Sequence, residues 1–239
     1  FYLALFITGI VALIGAYLYR YHRPVYNDRR LLWLLALIVV GSMAAFKVAG
    51  SALGIKLDTT QYGYFGALCI TTASMLIAVL LQPGLAVLVA GLFSLHVGIM
   101  ANYDLRFAGV SLISSLVGIH GFSRIRDRGD LVRTVLAMCL ANTVAIWVLG
   151  SVSGDSLQGR MTGVAWGVGA SVLACLVTWL GVALFERPFG ITTHIGLLEL
   201  SDMNRPLLRR LLQEAPGTYI HSLNVGQLAE AAAEALGAD

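Results

Sequence analysis

The chain has 239 residues, 58% of them hydrophobic and 12% charged, with a mean hydropathy of +0.80. A soluble domain carries about 25% charged residues, so this composition excludes an ordinary water-soluble enzyme and marks an integral membrane protein. The net charge of +3 comes from arginines lying between apolar runs, and it calls for neither DNA nor RNA as a partner.

Phe1 opens inside an apolar run with no initiator methionine, so both ends are expected to be cut from a longer polypeptide, and no signal peptide is inferred. A helix needs about 20 apolar residues to cross a hydrocarbon core about 30 Å thick. Seven stretches meet the pattern: residues 2–19, 31–53, 64–81, 85–100, 107–122, 131–152 and 163–184. The third, fourth and fifth are short. Gln82-Pro83-Gly84 between the third and fourth is only a turn, so a re-entrant hairpin is the alternative there.

Lys and Arg accumulate in cytoplasmic loops. The loop after the first stretch holds Arg20, Arg23, Arg29 and Arg30, the loop after the fifth holds Arg124, Arg126, Arg128 and Arg133, and the chain leaves the seventh at Arg187. The opposite side has only Lys56, Arg106 and Arg160. This bias fits seven crossings of a plasma membrane, with Phe1 outside and the C-terminal segment in the cytoplasm. The basic loops serve as topology determinants that can also touch anionic lipid.

Lys47 and His96 fall inside predicted spans and are candidates for function. A snorkelling lysine and a histidine bonded to a neighbouring helix are the structural expectations for them. Cys69, Cys139 and Cys175 also lie inside spans, where packing rather than disulfide or zinc chemistry is expected. The glycine-rich run from Gly163 to Ser171 reads as a face that lets helices approach closely, not as a phosphate cradle.

Beyond the seventh span, Phe185-Glu186-Arg187-Pro188-Phe189-Gly190 is expected to stop the helix at the inner surface. A connector follows. Then Pro206 starts an amphipathic helix to about Gln213, with Leu207, Leu208 and Leu211 on its apolar face and Arg209 and Arg210 in water or at headgroups. Pro216-Gly217 breaks that helix, and Thr218 is the expected N-cap of the next. From His221, steps of 4, 3, 4 and 4 residues reach Val225, Leu228, Ala232 and Leu236, while Glu230 and Glu234 fall opposite. His221 is therefore expected to point inward. It reads either as a core histidine or as a metal ligand.

Three stretches carry a family resemblance: Glu199 to Leu208, Glu214 to Ser222, and Leu228 to Ala238. They closely resemble the bacterial seven-transmembrane HD hydrolases, membrane-bound phosphodiesterases of cyclic di-AMP. The likeness is specific from Phe185 onward and rests mainly on topology before it. It implies an all-α architecture, with a seven-helix membrane bundle at 1–187, a connector at 188–203 and the opening of a cytoplasmic HD phosphohydrolase domain at 204–239. An extracellular sensor domain would precede residue 1. In the family pattern the histidine of the Pro-Gly-Thr elbow is the first metal ligand, which corresponds to His221. The residue before it is often a second histidine, but here it is Ile220. The remaining ligands and the His-Asp dyad would lie beyond Asp239.

The resemblance thus implies an enzyme that opens cyclic di-AMP to the linear dinucleotide with a pair of divalent metals, for which iron, manganese or zinc all suit mixed imidazole and carboxylate ligands. The present residues alone are expected to bind no metal and to be inactive. The rival is a membrane sensor or transport module whose cytoplasmic tail recruits a partner.

Overall fold

The computed structural model describes residues 2–51, 58–123, 125, 128–191, 193, 196–197 and 204–237, with backbone alone for 2–7, 49–51 and 128. Lys56, Arg124, Arg126 and the stretch 199–203, all used in the sequence argument, lie outside the described residues. Contacts divide the chain into two compact units, Phe1–Thr193 and His194–Asp239.

The first unit is an up-and-down bundle of α1 (Tyr2–Tyr21), α2 (Arg23–Asn27), α3 (Arg29–Ser51), α4 (Thr59–Leu80), α5 (Pro83–Met100), α6 (Leu105–Phe122), α7 (Arg128–Val152) and α8 (Leu157–Phe189). Among the described residues six helices, α3 to α8, are long and apolar enough to cross a membrane. The twenty-residue α1 stands where the first span was expected. α4 and α5 are continuous helices of 22 and 18 residues joined through Leu81 and Gln82, and each is long and apolar enough to cross a membrane, where a re-entrant hairpin was the alternative.

Helix ends follow local chemistry that hydropathy does not register. α4 starts five residues before its apolar run because Asp58 caps it: the Asp58 carboxylate accepts from Thr59 N at 2.8 Å, and Asp58 N donates to Gln61 Oε1 at 3.3 Å. α8 starts six residues early because Ser156 Oγ accepts from Gly159 N at 3.1 Å. At the other end α8 runs through Pro188, which was expected to help stop it. A proline one residue before the end costs a single backbone bond, so termination is left to Gly190, whose φ of 65° takes the left-handed conformation. At about 1.5 Å per residue, 33 residues give α8 a length near 50 Å, well beyond the hydrocarbon core.

α4 is the central helix, buried over most of its length and packed on α3, α5, α6 and α8. α6 lies against α5 and α7, and α7 against α8. Small residues make these approaches close: a Cβ on Gly66 would come within 2.7 Å of the Phe46 ring, and one on Gly163 within 2.7 Å of the Tyr64 hydroxyl. Gly163 and Gly167 of α8 thus pack, as expected from the sequence, whereas Gly169 of the same run has nothing within 4 Å of its Cβ position. Cys69 and Cys175 are buried, and all three cysteines are free thiols.

The second unit contains α9 (Pro206–Glu214) and α10 (Pro216–Leu236), which contact one another. α10 begins three residues earlier than expected. Thr218 is not its cap but sits within its first turn, where its carbonyl accepts from Ser222 Oγ at 2.9 Å. Pro216 at the first helical position explains the shift, since its φ is preset for a helix and it lacks the N–H that would otherwise be orphaned.

Candidate functional site

The elbow places His221 in the second turn of α10, on the stripe that runs to Leu236. Its expected inward orientation is not realised. His221 is exposed, as are Val225, Leu228 and Leu236 along the same stripe, and Tyr219 is the buried residue of the helix. The reason is the amount of chain available to cover it, for two helices of 9 and 21 residues cannot enclose an apolar stripe. Leu207 is likewise exposed, while Leu208 and Leu211 are half-buried and Arg210 pairs with Glu214 at 2.8 Å.

A metal needs several convergent ligands. Among the described residues no group of three or more His, Cys, Asp or Glu side chains is placed to hold one. His221 offers one imidazole and the described donor set does not fit a metal pair, so no chemical step is derived through one.

The membrane bundle holds two polar constellations that a scan for charges inside spans passes over. The first lies midway along the helices. Asn142 of α7, 2% exposed, donates from Nδ2 to Ser114 Oγ of α6 at 3.1 Å and to Ser171 Oγ of α8 at 2.7 Å. Thr71 of α4 meets Ser115 of α6 at 3.4 Å beside it in sequence. Four helices are thereby tied by uncharged groups. The available signal was a lone Asn at the centre of an apolar run. Asn142→Leu should lower bundle stability by about 1 kcal/mol, within the range of interhelical bonds in membranes, as read by denaturant titration in micelles.

The second constellation sits where α6 and α8 begin and α7 ends. Arg106 ion-pairs with both Asp104 and Asp155, joining the α5–α6 turn to the α7–α8 turn. Burial opposes ionisation of Asp104, but hydrogen bonds from the Arg106 side chain and backbone outweigh it and hold the carboxyl below its usual range. Arg160 lies over the Trp147 ring at 4.9 Å and donates to Ser151 Oγ at 2.6 Å. The other arginines noted in the loops and described here, Arg20, Arg23, Arg29, Arg30, Arg133 and Arg187, gather at the opposite end of the helices. His96 is buried in α5 with its ring 6.5 Å from that of Phe93, and Lys47 is exposed.

Residues 1–193 match the family model described as a 7TM receptor with intracellular HD hydrolase. The chain is 29% identical over 248 residues to the cyclic-di-AMP phosphodiesterase PgpH of Bacillus subtilis, an alignment covering 98% of this chain and 34% of that protein. It is 33% identical over 141 residues to the protein of the same name from Listeria monocytogenes, covering 55% and 19% of the two chains. It is 31% identical over 237 residues to an uncharacterised Synechocystis protein, covering 91% and 25%. No solved structure matches the chain. The chain spans about a third of the length of the Bacillus relative. With the bundle and the match over its full extent, the chain belongs to the seven-transmembrane receptors with an intracellular HD hydrolase domain.

Proposed function

We propose that the full-length protein is a plasma-membrane, metal-dependent phosphodiesterase that hydrolyses one phosphodiester bond of cyclic di-AMP and releases the linear dinucleotide. The observation that carries this reading is the alignment to the Bacillus phosphodiesterase, which at 29% identity covers 98% of the chain and so takes in both the bundle and the elbow. His221 is a ligand of the metal pair of the complete domain, where iron, manganese and zinc are all compatible with imidazole and carboxylate donors. The rest of the HD domain, absent from these residues, covers the exposed stripe of α10 and supplies the other ligands. The membrane bundle couples the catalytic domain to a sensor domain that precedes residue 1. α8 is the element suited to that coupling, being one continuous helix from Leu157 to Phe189.

The arginine bias supports an orientation with residue 1 outside and His221 in the cytoplasm, where the nucleotide is made and consumed. Membrane-impermeant thiol labelling tests it in a cysteine-free background. A cysteine at position 59 should react from outside and one at position 127 should not; the reverse pattern would invert the protein. The activity itself is tested by incubating the full-length protein with cyclic di-AMP and following ring opening.

A further inference from the structure

Between the ends of α4, α6, α7 and α8 lies a cavity of about 100 Å³, several times what one water needs. Thr60, Tyr64, Arg106, Ile146, Asp155 and Arg160 line it, so its floor is apolar and its rim carries charge. The carboxylate of the rim, Asp155, is committed to Arg106, which also pairs with Asp104 outside the cavity lining. Arg160 forms no ion pair among the described residues, and its Nε is buried with no hydrogen-bond partner. A desolvated guanidinium N–H without an acceptor is costly. The Tyr64 hydroxyl adds a donor on the wall facing α8, close enough to Gly163 that a Cβ there would come within 2.7 Å.

We propose that this cavity is a binding site for a carboxylate group, with Arg160 as its charge partner and Tyr64 as a hydrogen-bond donor. Guanidinium matches a carboxylate in plane and offers paired N–H groups. Asp155 on the same wall disfavours a dianion, so a singly charged carboxylate fits better than a phosphate. The site is built from Tyr64 at the start of α4 and Arg160 in the first turn of α8, so an occupant joins the central helix to the helix that leads to the elbow. The arginine bias assigns this end to the outside, where the carboxylate is either a water-soluble acid or the serine carboxylate of a lipid headgroup.

Acetate is the probe. The full-length protein in phosphatidylcholine nanodiscs is melted in rising sodium acetate at ionic strength fixed with chloride. The melting temperature should rise saturably, as it does for a ligand that binds only the folded state, and chloride alone should not raise it. Arg160→Gln should move the midpoint of the acetate response upward by at least about tenfold, as expected for loss of a charge-assisted bond. Tyr64→Phe, which removes only a hydroxyl, should move it by a few fold, and this variant keeps the test decisive if the arginine variant fails to fold. Adding phosphatidylserine to the discs separates the sources, since competition with acetate identifies the lipid and an unchanged midpoint identifies a soluble acid. No saturable rise in the native protein, or the same response in Tyr64→Phe and Arg160→Gln as in the native protein, would overturn the proposal.

Discussion

His221→Ala in the full-length protein is expected to lower cyclic di-AMP turnover by at least about 100-fold, because removing a directly bound ligand should cost no less than loss of the outer-shell partners that orient one. Bound metal should fall with activity. Membrane insertion should be unaffected, because His221 lies outside the bundle and is exposed on α10. In the full-length protein, a loss of metal and turnover with melting lowered no further than metal removal lowers that of the native protein would point to ligation, whereas normal turnover and metal content would leave His221 without a role in the metal site.

Gly98→Leu is expected to destabilise the membrane bundle by about 1–3 kcal/mol or more through overpacking. A Cβ at Gly98 would meet Ala108 Cβ at 2.9 Å and the Asp104 carbonyl oxygen at 3.3 Å. Neither is the tip of a flexible side chain, so relief requires α5 and α6 to separate. Gly91, seven residues earlier and hence on the same face of α5, has nothing within 4 Å of the corresponding position. Gly91→Leu should therefore be near neutral, and because both changes gain the same helix propensity, the difference between them isolates packing. Thermal denaturation in nanodiscs reads both; equal melting temperatures would mean that α5 and α6 are not in the close contact that Gly98 permits.

Span positions were legible because apolar run length is a direct consequence of bilayer thickness, and the helices α3 to α8 stand where runs of that kind occur. Their ends were less so. The capping box of Asp58 and Gln61, the cap of Ser156 and the left-handed Gly190 each extend a helix past its apolar core by satisfying orphan backbone groups, a signal carried by polar residues that a hydropathy reading counts as loop. Pro188 and Pro216 have opposite meanings because of position: near a helix end a proline costs one bond, and at the first turn it costs none. α2, five residues long with Pro24 near its start, lies within what hydropathy alone presents as a basic loop.

The candidate site divides in the same way. The elbow residues and the helical stripe of α10 were readable from spacing, but the spacing cannot say what covers the stripe, and an inward face presupposes a partner that the two helices do not provide. Asn142, Ser114 and Ser171 went unnoticed because each is uncharged and distant from the others in sequence; only the packing of α6, α7 and α8 brings them together. In the sequence Arg106 and Arg160 are loop charges, whereas the turns bring two carboxylates to one of them and an aromatic ring to the other.

The proposed function makes these residues the membrane and opening segment of a cyclic di-AMP phosphodiesterase whose active site is completed by residues beyond Asp239. The direct measurement is chromatographic analysis of cyclic di-AMP after incubation with two purified proteins in nanodiscs, each supplied with manganese: the 239-residue chain and the full-length protein. The full-length protein should convert the cyclic dinucleotide to its linear form while the shorter chain leaves it intact and holds no stoichiometric metal. An intact substrate with the metal-loaded full-length protein, or turnover by the shorter chain free of contaminating enzyme, would contradict it.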